Sequence, residues 1–301
     1  MKKLLRFLAV MGALWNVTPK AAGAEAKENV KAKADVSVYA NAERVSDAEH
    51  TFGELTLAPH ASIEKGDYKL GYSGMFYNYG YTDHTHGDPM TLDCQLRLDV
   101  PHWTFQTGRM MLRPEFASFM VTPFPTSLGN DIKGAGASRI FTGTHVVNKD
   151  TGLGVGFVAN DACMAPSHWD TGLLTWEKKF GDGWGLAAHV AAGSKGVQNA
   201  GFTLAYMPTD KTAFVAEGIY KDKTIHGILG TSHKLTDDLT LFAGLKLDRP
   251  EHEKVTGWAT AGLHYNLGKG FSVVGAVKQD IDTLHKTHGI IGLKYAGNFG
   301  I

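Results

Sequence analysis

Two closely spaced histidines in residues 83–86 have the clearest metal-binding spacing in the chain. His84 and His86 are two positions apart, so in an extended segment both rings lie on one face and could bind zinc. No third ligand is evident around Asp83-His84-Thr85-His86, and turn residues flank it. We therefore interpret the segment as a loop tip and predict no resident metal or other cofactor.

A second short motif, His60-Ala61-Ser62, puts a general base and a hydroxyl on one face of an extended segment. This spacing resembles that of small lipid A deacylases, which are barrels much smaller than a chain of 301 residues. The sequence contains no nucleophile elbow, His-Glu-x-x-His motif, Walker loop or dinucleotide fingerprint. We predict that the protein is not an enzyme, with a barrel lipid hydrolase or deacylase as the alternative.

The composition argues against nucleic-acid binding and favours short strands. Lys+Arg and Asp+Glu both total 30, and no basic run is present, whereas binding to phosphates needs a basic surplus. The chain has 36 glycines against 10 prolines, which suits many short strands and tight turns. The two cysteines, Cys94 and Cys163, are expected to be unpaired thiols.

The first residues have the organisation of an export signal. Lys2, Lys3 and Arg6 precede a short apolar stretch, and Ala22-Gly23-Ala24 follows as a small-residue cleavage site. The apolar stretch is too short to span a bilayer as a helix, which needs about 20 residues. We predict a signal peptide over 1–24 and a periplasmic lead-in over 25–33.

From residue 34 onward the chain alternates between polar and apolar residues, as a strand does when its two faces meet different environments. Residues 91–100 are the clearest case: Leu92, Cys94, Leu96, Leu98 and Val100 alternate with Thr91, Asp93, Gln95, Arg97 and Asp99. Residues 184–192, 239–247 and 271–280 repeat the pattern. Aromatic residues lie near predicted strand ends, among them Trp103, Trp184, Tyr206, Trp258 and Phe271.

The connections between these segments alternate in kind. Tight Gly, Asn, Asp or Pro turns are predicted at 64–67, 100–102, 148–151, 181–183, 208–211, 236–238 and 268–270. Between them lie looser polar stretches, mostly longer, at 46–51, 81–89, 113–134, 161–171, 194–199, 249–254 and 282–286, with a nearly absent one at 222–223. Short turns at one end and longer loops at the other are typical of outer-membrane barrels. The positions of these turns and loops predict about sixteen antiparallel strands over 34–301.

Three places resemble the Gram-negative porin superfamily of the sixteen-stranded, general-diffusion type. The last segment places Ile291, Leu293 and Tyr295 on one face and ends Phe299-Gly300-Ile301, similar to the C-terminal strand that barrel-assembly machinery reads. Gly108-Arg109 precedes the longest loop, 113–134, as the corresponding strand does in porins. That loop contains Pro114-Glu115-Phe116, which resembles a stretch in the third loop of enterobacterial porins.

The resemblance implies an all-β transmembrane barrel in the outer membrane, with short periplasmic turns and a third external loop folded into the lumen. It implies passive diffusion of ions and small hydrophilic solutes, lipid and lipopolysaccharide around the barrel, and a homotrimer. Loop acids would face wall arginines across a constriction. The candidate constriction residues are Glu115, Asp131, Arg97, Arg109, Arg113 and Arg139. A structural or adhesive barrel with a plugged lumen remains the other alternative.

Two points qualify the candidate charges. Arg109 shares its alternation with Trp103 and Phe105, so a lumen position there needs a bulge or a place near the rim. The other predicted lumen charges nearly cancel and give no ion preference; they are Lys246, Lys278 and Lys294 against Asp93, Asp99, Glu177, Asp248 and Asp280.

Overall fold

The computed structural model describes residues 29–45, 48–81, 90–111, 140–159, 170–181, 183–221, 223–282 and 287–300. This part of the chain forms sixteen strands: β1 Asn29–Val45, β2 Ala48–Lys65, β3 Tyr68–Tyr81, β4 Met90–Asp99, β5 Trp103–Met111, β6 Ile140–Asn148, β7 Leu153–Ala159, β8 Thr171–Phe180, β9 Trp184–Gly193, β10 Gly196–Tyr206, β11 Thr212–Lys221, β12 Thr224–Lys234, β13 Leu239–Pro250, β14 Thr256–Gly268, β15 Phe271–Asp280 and β16 Thr287–Gly300. The predicted all-β antiparallel architecture is confirmed.

The sheet closes on itself. Each strand pairs antiparallel with its neighbours in sequence, and β1 completes the ring by pairing with β16, where Val36 lies opposite Gly297. Closure removes both sheet edges, so every strand finds backbone partners on two sides. Because the number of strands is even, β1 begins and β16 ends at the same end of the barrel, which is the end that carries the tight turns.

The two faces of the wall have opposite character. One face presents large apolar side chains to the surroundings, such as Phe157, Leu229 and Ile291, which are 69%, 55% and 62% exposed. Their sequence neighbours point the other way and are covered, as with Ile228 at 2%. The second face also carries the hydrogen-bonded polar and charged groups. We call the first face the outer wall and the second the inner wall.

Aromatic rings form a row on the outer wall near the turn end. The Trp184 ring stacks on Tyr206 with centroids 4.1 Å apart, and Tyr206 continues to Phe214 at 6.4 Å. Trp176 meets Phe180 edge-on at 6.3 Å. This row confirms the predicted clustering of aromatics near strand ends, with one exception: Trp258 lies on the inner wall, because it shares the alternation of Thr256 and Thr260.

Tight turns join the strands at the turn end, and one of them depends on glycine. Gly152, with φ 72°, links β6 to β7, and a Cβ at this position would overlap the Glu177 carbonyl oxygen of β8. A side chain there would suffer both left-handed backbone strain and a clash with the neighbouring strand. The Asn148 side chain closes the same turn by accepting hydrogen bonds from the backbone N–H and the hydroxyl of Thr151.

Three predicted boundaries are corrected by the structure. β1 begins at Asn29, so residues 29–33 belong to a strand rather than to the lead-in. β2 begins at Ala48 and β10 at Gly196, which leaves very short connections where loops over 46–51 and 194–199 were expected. In each case the strand continues into a polar stretch of sequence. Beyond the apolar part of the outer wall both faces of a strand are polar, so the sequence no longer alternates and the strand end resembles a loop.

Candidate functional site

The inner wall near the turn end carries a network around Asp99. Arg97 donates through Nε to both carboxylate oxygens of Asp99, at 3.1 and 2.9 Å, and Thr104 donates to the same carboxylate at 2.6 Å. Lys149 Nζ lies 3.8 Å from it. Arg97 is therefore tethered to the wall, with its charge largely offset by its own neighbour.

A second polar chain crosses four strands halfway up the inner wall. One neutral tautomer of His145 satisfies both contacts: Nδ1 donates to Gln106 Oε1 at 3.2 Å, and Nε2 accepts from the Thr175 hydroxyl at 2.8 Å. The ring passes over Gly154 of β7, where a Cβ would overlap His145 and Thr175. Because Gly154 has no side chain, His145 of β6 and Thr175 of β8 can form their hydrogen bond across β7.

A third cluster lies on β12–β15 near the loop end. Asp248 accepts from His226 Nδ1 at 2.6 Å and from Lys246 Nζ at 2.9 Å. The ammonium groups of Lys246 and Lys278 lie 4.5 and 4.2 Å from the ring centroid of Trp258. This cluster brings together three of the predicted lumen charges, and the alternation of β14 could have placed Trp258 with them.

The inner wall also has an apolar patch on β5–β9. Met110, Phe141, Val158, Leu173 and Ala191 form one cluster, and none is more than 3% exposed. The patch lies beside the end of β5 at Met111, where the segment 112–139 begins. A water-filled lumen gives no reason for such a patch, so we expect it to be covered by protein.

The candidate constriction residues fall in different places. Arg97 lies on the inner wall, as expected. Arg109 lies on the outer wall, because β5 keeps an unbroken register with β4 and β6, with Arg109 opposite Cys94 and Thr142. The bulge that a lumen position would need is absent along the described length of β5. Glu115, Asp131, Arg113 and Arg139 lie outside the described residues, as does the 113–134 loop.

The other predicted lumen charges agree with the wall assignment where their side chains are described. Lys246, Lys278, Asp99, Glu177, Asp248 and Asp280 share the inner face by strand register. The side chains of Lys294 and Asp93 lie outside the described set. His60 and Ser62 share the inner face of β2, opposite Ser73 and Gly71.

Two connections meet at the loop end through an ion pair. Lys223 Nζ lies 3.0 Å from a Glu251 carboxylate oxygen, and the Glu251 amide donates to the Lys223 carbonyl oxygen at 2.9 Å. The hydrogen bond and charge of Glu251 raise the pKa of Lys223 above its ordinary value. Both side chains are solvent-exposed, so this pair contributes little to stability.

The described ranges contain no group of three or more His, Cys, Asp or Glu side chains arranged to hold a metal ion. Within the same ranges, no helix is long and apolar enough to cross a membrane. Cys94 is a free thiol on the outer wall, 3.8 Å from Tyr72 Oη. His84, His86 and Cys163 fall outside these ranges.

The architecture defines a closed antiparallel barrel with a polar inner wall and an apolar outer wall. No family model matches the sequence, and no curated protein does. Solved structures do match. One variant of the Rh. blastica porin is 12% identical with a TM-score of 0.57, and a triple mutant of the Rhodopseudomonas blastica porin is 13% identical with a TM-score of 0.56. Both matches cover 90% of this chain and 100% of the other. The protein therefore has the fold of a porin barrel.

Proposed function

We propose that this protein is an outer-membrane pore for passive diffusion of ions and small hydrophilic solutes. The observation that carries the proposal is the apolar outer wall around a closed barrel. Exposed side chains such as Phe157, Leu174 and Val277 recur on β7, β8 and β15. Soluble proteins rarely expose apolar side chains on strand after strand in this way. Lipid is the environment that such a wall fits, and a polar inner wall then suits water.

The orientation follows from the two ends of the barrel. The tight turns, the start of β1 and the end of β16 lie at one end, which we assign to the periplasm, and the longer connections face outward toward lipopolysaccharide. An export signal over 1–24 would deliver the chain, and strand β16 would be read by barrel-assembly machinery. The aromatic row of Trp184, Tyr206 and Phe214 then lies at the periplasmic membrane interface.

The segment 113–134 is proposed to fold into the lumen and narrow it. The apolar patch around Phe141 and Leu173 supports this position, since it needs a cover and lies next to the end of β5. Glu115 and Asp131 would supply loop acids, and Arg113 and Arg139 would supply nearby cations. Arg97 contributes a tethered positive charge on the wall. Arg109 is left out of the constriction because it lies on the outer wall.

A homotrimer is proposed from the outer wall of β5 and β6, where Arg109 lies among Thr107, Thr142 and Thr144. Arg109 lies there beside Thr107, which contacts the Thr144 hydroxyl at 3.4 Å, and Arg109 Nε is buried without a hydrogen-bond partner among the described residues. A lipid-facing arginine near the midplane costs about 2–4 kcal/mol. Contact with a second copy of the chain would avoid this cost.

Crosslinking tests the assembly. We expect a short amine-reactive crosslinker applied to native outer membranes to give a trimeric band, which Arg109→Asp weakens because it changes the charge of the contact. Lys178→Asp, on the outer wall of β8, serves as the matched control and keeps the trimer. If crosslinked native membranes gave only monomers, the proposed trimer would be contradicted, whereas the proposed pore would be unaffected.

Single-channel recording in a planar bilayer tests the pore itself. The purified full-length protein is expected to give discrete, ohmic steps in potassium chloride. A correctly folded barrel that gives no single-channel current would contradict the pore and support a structural barrel with a plugged lumen. Hydrolysis of lipid A or phospholipid that disappears in Ser62→Ala would instead support the hydrolase.

A further inference from the structure

A groove crosses the outer wall of β9–β13 and begins near the turn end. Phe214 and Leu229 line it and project from the wall, with exposures of 44% and 55%. The half-buried side chains of Ala216, Thr231 and Ala243 also line it and are smaller, so they leave space between the larger ones. The groove has a volume of ≈ 560 Å³, within the range of about 300–1,000 Å³ typical of small-molecule sites. We call it the outer-wall groove.

The chemistry of the wall changes along the groove in the same order as the parts of a phospholipid. Nearest the turn end, Thr212 and His233 lie opposite each other on the outer wall, and Thr212 Oγ1 is 2.8 Å from His233 Nδ1. Two residues further along the strands, Thr231 lies opposite Phe214 in the aromatic row. Beyond this level, around Leu229, the lining is apolar. A phospholipid likewise runs from phosphate through ester carbonyls to acyl chains.

Two side chains at the polar end of the groove have donors for the oxygens of a lipid. When the Thr212 hydroxyl donates to Nδ1, the neutral His233 ring carries its proton on Nε2. The ring is exposed on the outer wall, so this N–H is accessible to a phosphate oxygen. The Thr231 hydroxyl lies at the level of the aromatic row. Such rows mark the membrane interface, which is where the ester carbonyls of a lipid lie.

The charges of the two turns beside the groove favour a zwitterionic headgroup. Asp210 and Lys211 belong to the turn between β10 and β11, and Asp237 and Asp238 belong to the turn between β12 and β13. Lys234 Nζ pairs with Asp237 at 3.2 Å. Three carboxylates and two ammonium groups give these five residues a net charge of −1. This charge repels an anionic headgroup, whereas a headgroup ammonium beside the phosphate is attracted to the carboxylates.

The position of the groove on the ring favours lipid over a second copy of the chain. The proposed trimer contact lies on β5 and β6, and strands β7–β10 separate it from β11 and β12, where the groove is centred. A copy docked on β5 and β6 therefore leaves the groove facing the membrane. An empty groove would deprive its lining of dispersion contacts, and an acyl chain that lies along it restores them.

We propose that the outer-wall groove binds one phospholipid with a zwitterionic headgroup, such as phosphatidylethanolamine, from the periplasmic leaflet. The phosphate accepts a hydrogen bond from His233 Nε2–H, and an ester carbonyl accepts one from the Thr231 hydroxyl. An acyl chain packs along Ala216, Ala243 and Leu229. The site rests on the proposed function in one respect, the outer wall facing lipid, and it does not depend on whether the lumen conducts.

Native mass spectrometry of the detergent-solubilised full-length barrel, titrated with dioleoyl phosphatidylethanolamine, tests the site. We expect one tightly bound lipid per chain. Its dissociation constant should rise about tenfold in Ala243→Phe, whose ring occupies the groove and excludes part of the acyl chain. It should rise about fivefold in Thr231→Val, which keeps the shape of the side chain and removes one hydrogen bond. Ala192→Phe is the matched control, because it adds the same ring to the outer wall of β9, opposite Gly172 and outside the groove, and should bind like the wild type.

The outcomes separate this site from the pore. Equal lipid affinity in the wild type, Ala243→Phe and Thr231→Val, with each barrel shown to be folded by its heat-shifted gel mobility, would overturn the site. Phosphatidylglycerol or lipid A binding as tightly as phosphatidylethanolamine would overturn the headgroup class. A dimer that Ala243→Phe dissociates would overturn the lipid and place a second copy in the groove. Lipid bound with the expected pattern by a barrel that never conducts would keep the site and reject the pore.

Discussion

Replacing Leu229 by lysine is expected to destabilise the barrel in lipid vesicles. Leu229 lies in the middle of β12 on the outer wall, is 55% exposed, and pairs with Ala216 and Leu245 on the adjacent strands. A lysine at the centre of the lipid-facing wall costs about 2–4 kcal/mol. The free energy of unfolding, measured by urea titration of the vesicle-bound barrel, should fall by this amount.

Glu217→Lys is the matched control, because it puts the same side chain at the same height on the other face. Glu217 lies on the inner wall of β11, opposite Ile228, and accepts from the Thr203 hydroxyl at 3.0 Å. This variant removes the acceptor of the buried Thr203 hydroxyl but puts no charge into lipid, so it should lose less stability than Leu229→Lys. Equal losses at the two positions would mean that the outer wall does not face lipid, and would remove the main support for a membrane pore.

The strands could be predicted from the sequence because each side chain on a strand faces one of only two environments, that of the outer wall or that of the inner wall. Residues 239–247 and 271–280 alternate strongly, and the structure places their apolar members, such as Leu241 and Val277, on the outer wall. The ends of β1, β2 and β10 could not be predicted equally well. There the wall leaves the apolar zone, both faces become polar, and a strand looks like a loop in the sequence.

The site was harder to predict than the fold, since position on a wall depends on register as well as on residue type. Arg109 resembles a lumen cation in the sequence, yet it follows Phe105 by an even number of residues, and no bulge in β5 changes its face. Trp258 resembles a membrane-interface aromatic, although its neighbours Thr256 and Thr260 share its alternation. In both cases the alternation of the strand was the better guide than the side chain itself.

Shortening the segment 113–134 to a Gly-Asn-Gly link is expected to raise the single-channel conductance severalfold and to admit larger sugars into proteoliposomes. The conductance of a water-filled pore depends on its narrowest cross-section, and a loop in the lumen would define that cross-section. The barrel should survive the change, because Met111 and Ile140 at the ends of β5 and β6 lie directly opposite each other. Exposing the apolar patch around Phe141 should lower stability without opening the sheet.

The control replaces residues 82–89, the connection between β3 and β4, by the same short link. This variant should conduct like the wild type, because that connection is not proposed to enter the lumen. A finer variant, Glu115→Gln with Asp131→Asn, should keep the wild-type conductance and shift the reversal potential in a salt gradient toward anions, since it removes two negative charges from the narrowest zone. If both shortened barrels conduct alike and the double variant keeps its reversal potential, the segment lies outside the lumen. The charges on the inner wall, such as those of Arg97, Lys246 and Lys278, would then set the selectivity of the pore.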